Sequence, residues 1–157
     1  MKLNAKEDIE APLAFVFDAL ADFDGWERAA LRRGAEVVRS DATRGTGPGM
    51  AWQVAFSFRG KRRQMAITLK RLDRPQRLEF TGVGTAVDGA LDLDLVELGP
   101  RRTRVTVVTE VKPRTLAARL FLQSLRLAKA KVTKRFESRV ALIAADIEDR
   151  YKRSLRG

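Results

Sequence analysis

The sequence predicts an α+β domain: a curved antiparallel sheet of about six to seven strands wrapped on a long C-terminal helix, with two short helices after the first strand. Three observations predict it. From Arg114 to Ser154 apolar residues recur every three or four positions (Phe121, Leu125, Ala128, Val132, Phe136, Val140, Ile143, Ile147, Tyr151), with no Pro or Gly between Pro113 and Gly157. That is one apolar stripe along an uninterrupted helix. From Ala35 to Val111 the period is mainly two, as in strands with one buried face. Short turns carrying Gly or Pro separate these runs, so successive strands are antiparallel neighbours. A helix of this length, about 60 Å at ~1.5 Å per residue, needs a long partner surface, and the sheet supplies one.

The elements follow in order. Residues 1–10 read as a first strand, with Leu3, Ala5 and Ile9 opposing Lys2, Asn4 and Lys6. Two short helices occupy 12–33. Pro12 suits a first helical turn, Leu13, Val16, Phe17 and Leu20 share one face, and Asp22, Asp24 and Gly25 divide this piece from Trp26–Arg33. Strands fill 34–111. Ala35–Ser40 is the first of them, and Asp41–Gly49 is a Gly-rich loop. Trp52, Val54, Phe56 and Phe58 then alternate with Gln53, Ala55, Ser57 and Arg59. After a turn at Arg59-Gly60-Lys61 come Met65, Ile67 and Leu69, and after Asp73-Arg74-Pro75 come Leu78 and Phe80. Leu91, Leu93 and Leu95 alternate with Asp92 and Asp94; Gly99-Pro100 turns the chain into Val105, Val107 and Val111. Lys112-Pro113 ends the sheet before the helix over 114–154. No repeat or second domain is visible, so 1–157 reads as one domain.

Composition removes several chemistries. The 157 residues contain no cysteine and no histidine. Disulfides and thiolate catalysis are therefore excluded, as are the usual neutral-pH base and the commonest zinc ligand. Neither a metal nor another cofactor is expected. No segment approaches the ~20 apolar residues of a membrane span, and the N-terminus lacks the apolar run of a signal peptide, which predicts a cytoplasmic protein. The net charge is +11. From Arg114 onward twelve Lys/Arg face four Asp/Glu, against 19 and 16 in the rest of the chain, so most of the excess lies on the terminal helix.

The element order, the segment IEAPLAFVFDALADFDGWE (Ile9–Glu27) and the hairpin pattern ending in a long helix together resemble the START-like, or SRPBCC, superfamily with its helix-grip fold. Polyketide cyclases and dehydratases and lipid carriers are among its members. The resemblance covers nearly the whole chain and implies a cavity between sheet and helix. Its walls would come from the inward positions Trp52, Val54, Phe56, Met65, Ile67, Phe80, Leu91, Leu93 and Val107 on the strands, and Phe121, Leu125 and Ala128 on the helix. Trp26 either packs over the entrance or anchors the short helices. The expected function is non-catalytic binding or transport of a small apolar or lipid-like ligand. The alternatives are a cyclase- or dehydratase-type enzyme on a polyketide-like or aromatic substrate, or a basic module that docks on a membrane or protein. With no convergent catalytic set, the reading leans away from an enzyme.

Other motifs have simpler explanations. Asp88, Asp92 and Asp94 oppose the inward leucines, so they belong on the solvent face beside basic neighbours. Gly45-Thr46-Gly47-Pro48-Gly49 lacks the Lys-Ser/Thr of a phosphate loop and instead borders the mouth implied by the resemblance. Lys61-Arg62-Arg63 and Arg101-Arg102 fall in turns without interleaved aromatics, so no dedicated nucleic-acid role is expected. Leu116, Leu120 and Leu127 lie off the main stripe among Arg119, Arg126, Lys129 and Lys131. A helix apolar on two sides meets something on both: its own core, a second subunit (a homodimer), or an anionic membrane.

Overall fold

A computed structural model describes residues 1–41 and 45–157. Ala42, Thr43 and Arg44 of the Gly-rich loop lie outside the described residues. Seven strands form one antiparallel sheet: β1 (Lys2–Ile9), β2 (Glu36–Arg39), β3 (Ala51–Phe58), β4 (Lys61–Asp73), β5 (Arg77–Gly84), β6 (Val87–Gly99) and β7 (Arg102–Pro113). Their order is β1-β7-β6-β5-β4-β3-β2. Strands β2 to β7 are thus a meander, and β1 extends it at one edge by pairing with β7, Ala5 opposite Val107 and Ile9 opposite Thr103.

Local chemistry sets the corners. At the β3–β4 hairpin both Arg59 (φ 54°) and Gly60 (φ 74°) take the left-handed conformation that a two-residue hairpin turn of this hand requires. Helices α1 (Leu13–Leu20) and α2 (Phe23–Arg32) carry the chain from β1 to the opposite edge of the sheet. The Asp22 carboxylate caps α2 by accepting from the Gly25 N–H at 3.1 Å. Glycine leaves room for this cap, because a Cβ would stand 2.3 Å from the carboxylate and would have to displace it.

The core is sealed at one end of the sheet. Ile9, Val16, Phe17, Leu69, Leu78 and Ile147 are all but inaccessible, and the Thr103 hydroxyl, fully buried, donates to the Ala11 carbonyl at 2.9 Å. On the outer face, Arg77 donates to Glu79 at 2.6 Å and lies 3.8 Å from both Asp92 and Asp94. Asp88 lies 3.6 Å from Arg114. Asp92 and Asp94 therefore sit in surface ion pairs, as their alternation with leucine implies; Asp88 is half-buried, its Oδ1 facing Arg114 without a hydrogen bond among the described residues.

The terminal helix differs in one respect from the uninterrupted rod expected over 114–154. It consists of α3 (Leu116–Leu127) and α4 (Lys129–Ser154), broken at Ala128 (φ −110°, ψ 28°). The Ala128 N–H turns back to the Leu125 carbonyl at 3.0 Å, a tighter turn that ends the first segment. The break lets each piece follow its own partner: α3 lies on β7 and α4 on β1. In α4 the buried residues are Val140, Ala144 and Ile147, while Ile143 is 37% exposed. The small Ala144 admits a close approach to the strand that Ile143 would obstruct. Tyr151 packs edge-on against Phe15 with ring centroids 5.1 Å apart. Among the described residues no helix is long and apolar enough to cross a membrane.

Candidate functional site

The inner face of the sheet changes character along its length. At the sealed end, next to α1, Leu93 and Val107 are buried opposite each other. Trp52 is also buried, its ring 5.5 Å from Phe23 and its indole N–H donating to the Glu27 carboxylate at 2.7 Å. Farther along, Val54, Phe56, Met65, Ile67, Phe80 and Leu91 face the same side and are only half-buried. They are adjacent in register: Val54 opposes Met65, Trp52 opposes Ile67, and Phe80 opposes Leu91. Large apolar side chains on the covered face of a sheet are ordinarily withdrawn from water; these are withdrawn only in part, Val54, Ile67, Phe80 and Leu91 packing against the core with some surface left open.

Three glycines deepen this region. Gly82 and Gly84 on β5 oppose Ile67 and Met65, and Gly89 on β6 opposes Gly82. At Gly82 and Gly89 the missing side chains leave room that the Met65 thioether occupies, while a Cβ on Gly84 would meet the Val87 carbonyl at 3.1 Å. Met65 is an unbranched, adaptable side chain suited to a wall that changes shape.

The roof on this side is α3. Its Phe121 meets Phe58 at a ring-centroid distance of 6.2 Å, and the Arg59 guanidinium lies 4.6 Å from the Phe121 centroid. The tip of the β3–β4 hairpin thus reaches the helix. Leu125 is half-buried one turn farther on. Ala128 is exposed at the helix break. Trp26 also stands apart. It is 38% exposed on α2, its indole N–H donating to the Leu20 carbonyl at 3.0 Å. There it lines a separate surface groove of about 440 Å³ between α2 and α4, together with Arg28, Arg32, Arg139, Ile143 and Arg150. The expected wall residues therefore divide into the sealed end, the accessible stretch with its roof, and two outliers.

Arg63 is the residue that sequence reasoning misses. The run Lys61-Arg62-Arg63 reads as a turn, yet β4 begins at Lys61 and Arg63 opposes Phe56 within it. It shares the inner face with Met65 and Ile67, and its buried Nε has no hydrogen-bond partner among the described residues. Its even spacing from Met65 is the available signal.

At the loop-side edge of this face, charge is satisfied rather than free. Arg39 donates to the Asp41 carboxylate at 2.8 and 3.1 Å and to the Gly45 carbonyl at 2.7 Å. Asp41 also accepts from the Ala51 N–H at 3.1 Å. Hydrogen bonding to Arg39 draws the Asp41 carboxyl down to about 2. A carboxylate locked in its ionised form is a poor proton shuttle near neutral pH. Its work here is to hold the base of the Gly-rich loop. Among the described residues no group of His, Cys, Asp and Glu is placed to hold a metal.

Solved structures share this architecture. An aromatase/cyclase from Streptomyces sp. R1128 superposes with a TM-score of 0.68 at 14% identity, covering 96% of this chain and 94% of its own. A protein from Thermus thermophilus gives 0.67 at 15% identity, with 94% and 97% covered. A START superfamily protein from Mycobacterium smegmatis gives 0.53 at 13%, with 87% and 97% covered. At these identities the likeness establishes the helix-grip fold alone. No curated protein sequence matches the chain. A family match spans residues 1–148, nearly the whole sheet-and-helix unit, and by it the chain belongs to the polyketide cyclase / dehydrase and lipid transport family.

Proposed function

We propose that the protein binds a small apolar or lipid-like ligand, without transforming it, against the inner face of β3–β6 beneath α3. The observation that carries this reading is the contrast along that face. Leu69, Leu78 and Leu93 are sealed, while Phe56, Met65, Ile67, Phe80 and Leu91 stay partly accessible beside three glycines. Covering such surface gains about 25 cal/mol per Å² before ordering costs, so a ligand lying there replaces water favourably. The family description includes lipid transport, and a chain without histidine or cysteine suits binding better than proton or acyl transfer. The test is titration with a fluorescent apolar probe. Wild type binds it, and Phe56→Arg, which sets a charge against the same surface, does not.

Arg63 favours a second reading, a cyclase- or dehydratase-type activity on an oxygen-bearing substrate. A guanidinium with an unpaired N–H can anchor or polarise a carbonyl or carboxylate oxygen. It cannot itself move a proton at neutral pH, because it is never deprotonated. An enzyme of this kind would therefore orient and polarise its substrate rather than shuttle protons through histidine. Turnover of a polyketide-like substrate, lost in Arg63→Ala, would favour this reading over simple carriage.

A further inference from the structure

The outward side of α3 is a second apolar surface, turned away from the sheet. At 100° per residue Leu116, Leu120 and Leu127 fall within about 40° of one another, opposite Phe121 and Leu125. They are 70%, 57% and 92% exposed. Helix propensity does not require leucine at these positions, and no neighbour among the described residues covers them. The surrounding charge has a single sign. Between Glu110 and Glu137 there is no acidic residue, while Lys112, Arg114, Arg119, Arg126, Lys129, Lys131, Lys134 and Arg135 all fall in that interval. Lys112 lies 3.9 Å from Glu110 and Arg114 lies 3.6 Å from Asp88. Among the described residues no ion pair engages the other six. Beside the leucine stripe is a hollow of about 240 Å³ lined by Met1, Pro113, Arg119, Leu122, Gln123 and Arg126.

We propose that α3 docks on an anionic phospholipid bilayer. Leu116, Leu120 and Leu127 enter the acyl boundary, and Arg119 and Arg126 hold a lipid phosphate in the flanking hollow. Charge complementarity selects this occupant. Two copies meeting through this face would set unpaired cations against unpaired cations. A specific protein partner needs roughly 800 Å² of complementary surface per side, far more than one row of three leucines bordered by Arg and Lys. A bilayer sets no such threshold: it accepts a narrow apolar stripe, attracts the cations, and lets long basic side chains reach its headgroups. The docking stands whether or not the inner face beneath α3 binds a ligand.

The test uses the full chain and vesicles of phosphatidylcholine, with and without phosphatidylglycerol at about one lipid in three. The protein floats with the anionic vesicles, stays behind with the neutral ones, and is released by high salt. Leu116→Gln/Leu120→Gln/Leu127→Gln keeps good helix formers at exposed sites and lowers partitioning at least about tenfold, with an unchanged melting temperature and unchanged uptake of the soluble apolar probe. Arg119→Gln/Arg126→Gln weakens it as well. Leu120→Trp gains a blue-shifted emission, quenched by lipids brominated on their acyl chains. Three outcomes overturn the proposal. Binding of the glutamine triple variant to anionic vesicles at the wild-type level means charge-only adhesion. A new tryptophan emission that does not shift means that the helix stays outside the acyl boundary. Dissociation of a dimer by the leucine changes gives the face to a second copy. Loss of probe uptake with intact docking would count against ligand binding on the inner face alone.

Discussion

The Met65 thioether lies across Gly82 of the neighbouring strand, so that a Cβ on Gly82 would stand 3.1 Å from Met65 Cε and 3.3 Å from its sulfur. The glycine is what lets the methionine lie flat against the sheet. Gly82→Val would lift Met65 into the space beneath α3, and binding of the apolar probe should fall about tenfold or more. Met65→Ala has the opposite geometry. It widens the depression over Gly82 and Gly89 and should admit a bulkier probe than wild type accepts. Titration of both variants with probes of graded size checks the pair.

Arg63 supplies a polar contrast on the same face. Arg63→Ala should leave affinity for a neutral hydrocarbon probe nearly unchanged but weaken a carboxylate-bearing probe of the same length by about tenfold, the worth of a charge-assisted hydrogen bond. Arg63→Lys should restore only part of it, since an ammonium lacks the planar fork. Equal effects on both probes would show that Arg63 acts through packing.

Acid should loosen the loop-side edge. With the Asp41 carboxyl at about 2, below its ordinary 3.8, its ion pair contributes full stability above about pH 4. That contribution is lost as pH falls through about 2, where the folded carboxylate takes up its proton. Asp41→Asn should therefore be less stable than wild type at neutral pH, and the difference should shrink on acidification across that window. Chemical denaturation at a series of pH values reads the slope.

Thr103 is the polar group most deeply committed to the fold. Thr103→Val keeps the shape but removes the donor to the Ala11 carbonyl, leaving that acceptor buried and unsatisfied. The cost should be about 1–3 kcal/mol in the free energy of unfolding, with probe affinity unchanged, because the site is at the sealed end. Urea denaturation compared with probe titration separates the two effects.

How much of this is legible in the sequence depends on whether a feature is local. The hairpins are readable because alternation and turn residues act over a few positions: Arg59-Gly60 and Gly99-Pro100 mark corners that the structure has. The break at Ala128 is not, because alanine is the strongest helix former and the break follows from the different partners of α3 and α4. The same tertiary choice buries Ala144 in place of Ile143. On the candidate site, parity places Trp52, Val54, Phe56, Met65 and Ile67 on one face, but alternation says nothing about how far each remains open. Arg63 escapes because a cation beside Lys61 and Arg62 reads as part of a turn, although its spacing from Met65 already sets its side of the strand. Gly84 and Gly89 escape because an absent side chain leaves no apolar signal to count.

The most direct measurement is native mass spectrometry of the protein taken straight from its own cell extract. Binding beneath α3 predicts a mass increment from a co-purifying hydrophobic molecule, present on wild type and missing from Phe56→Arg, with both proteins folded by circular dichroism. Bare wild-type protein that also takes up no lipid or quinone analogue would contradict the account.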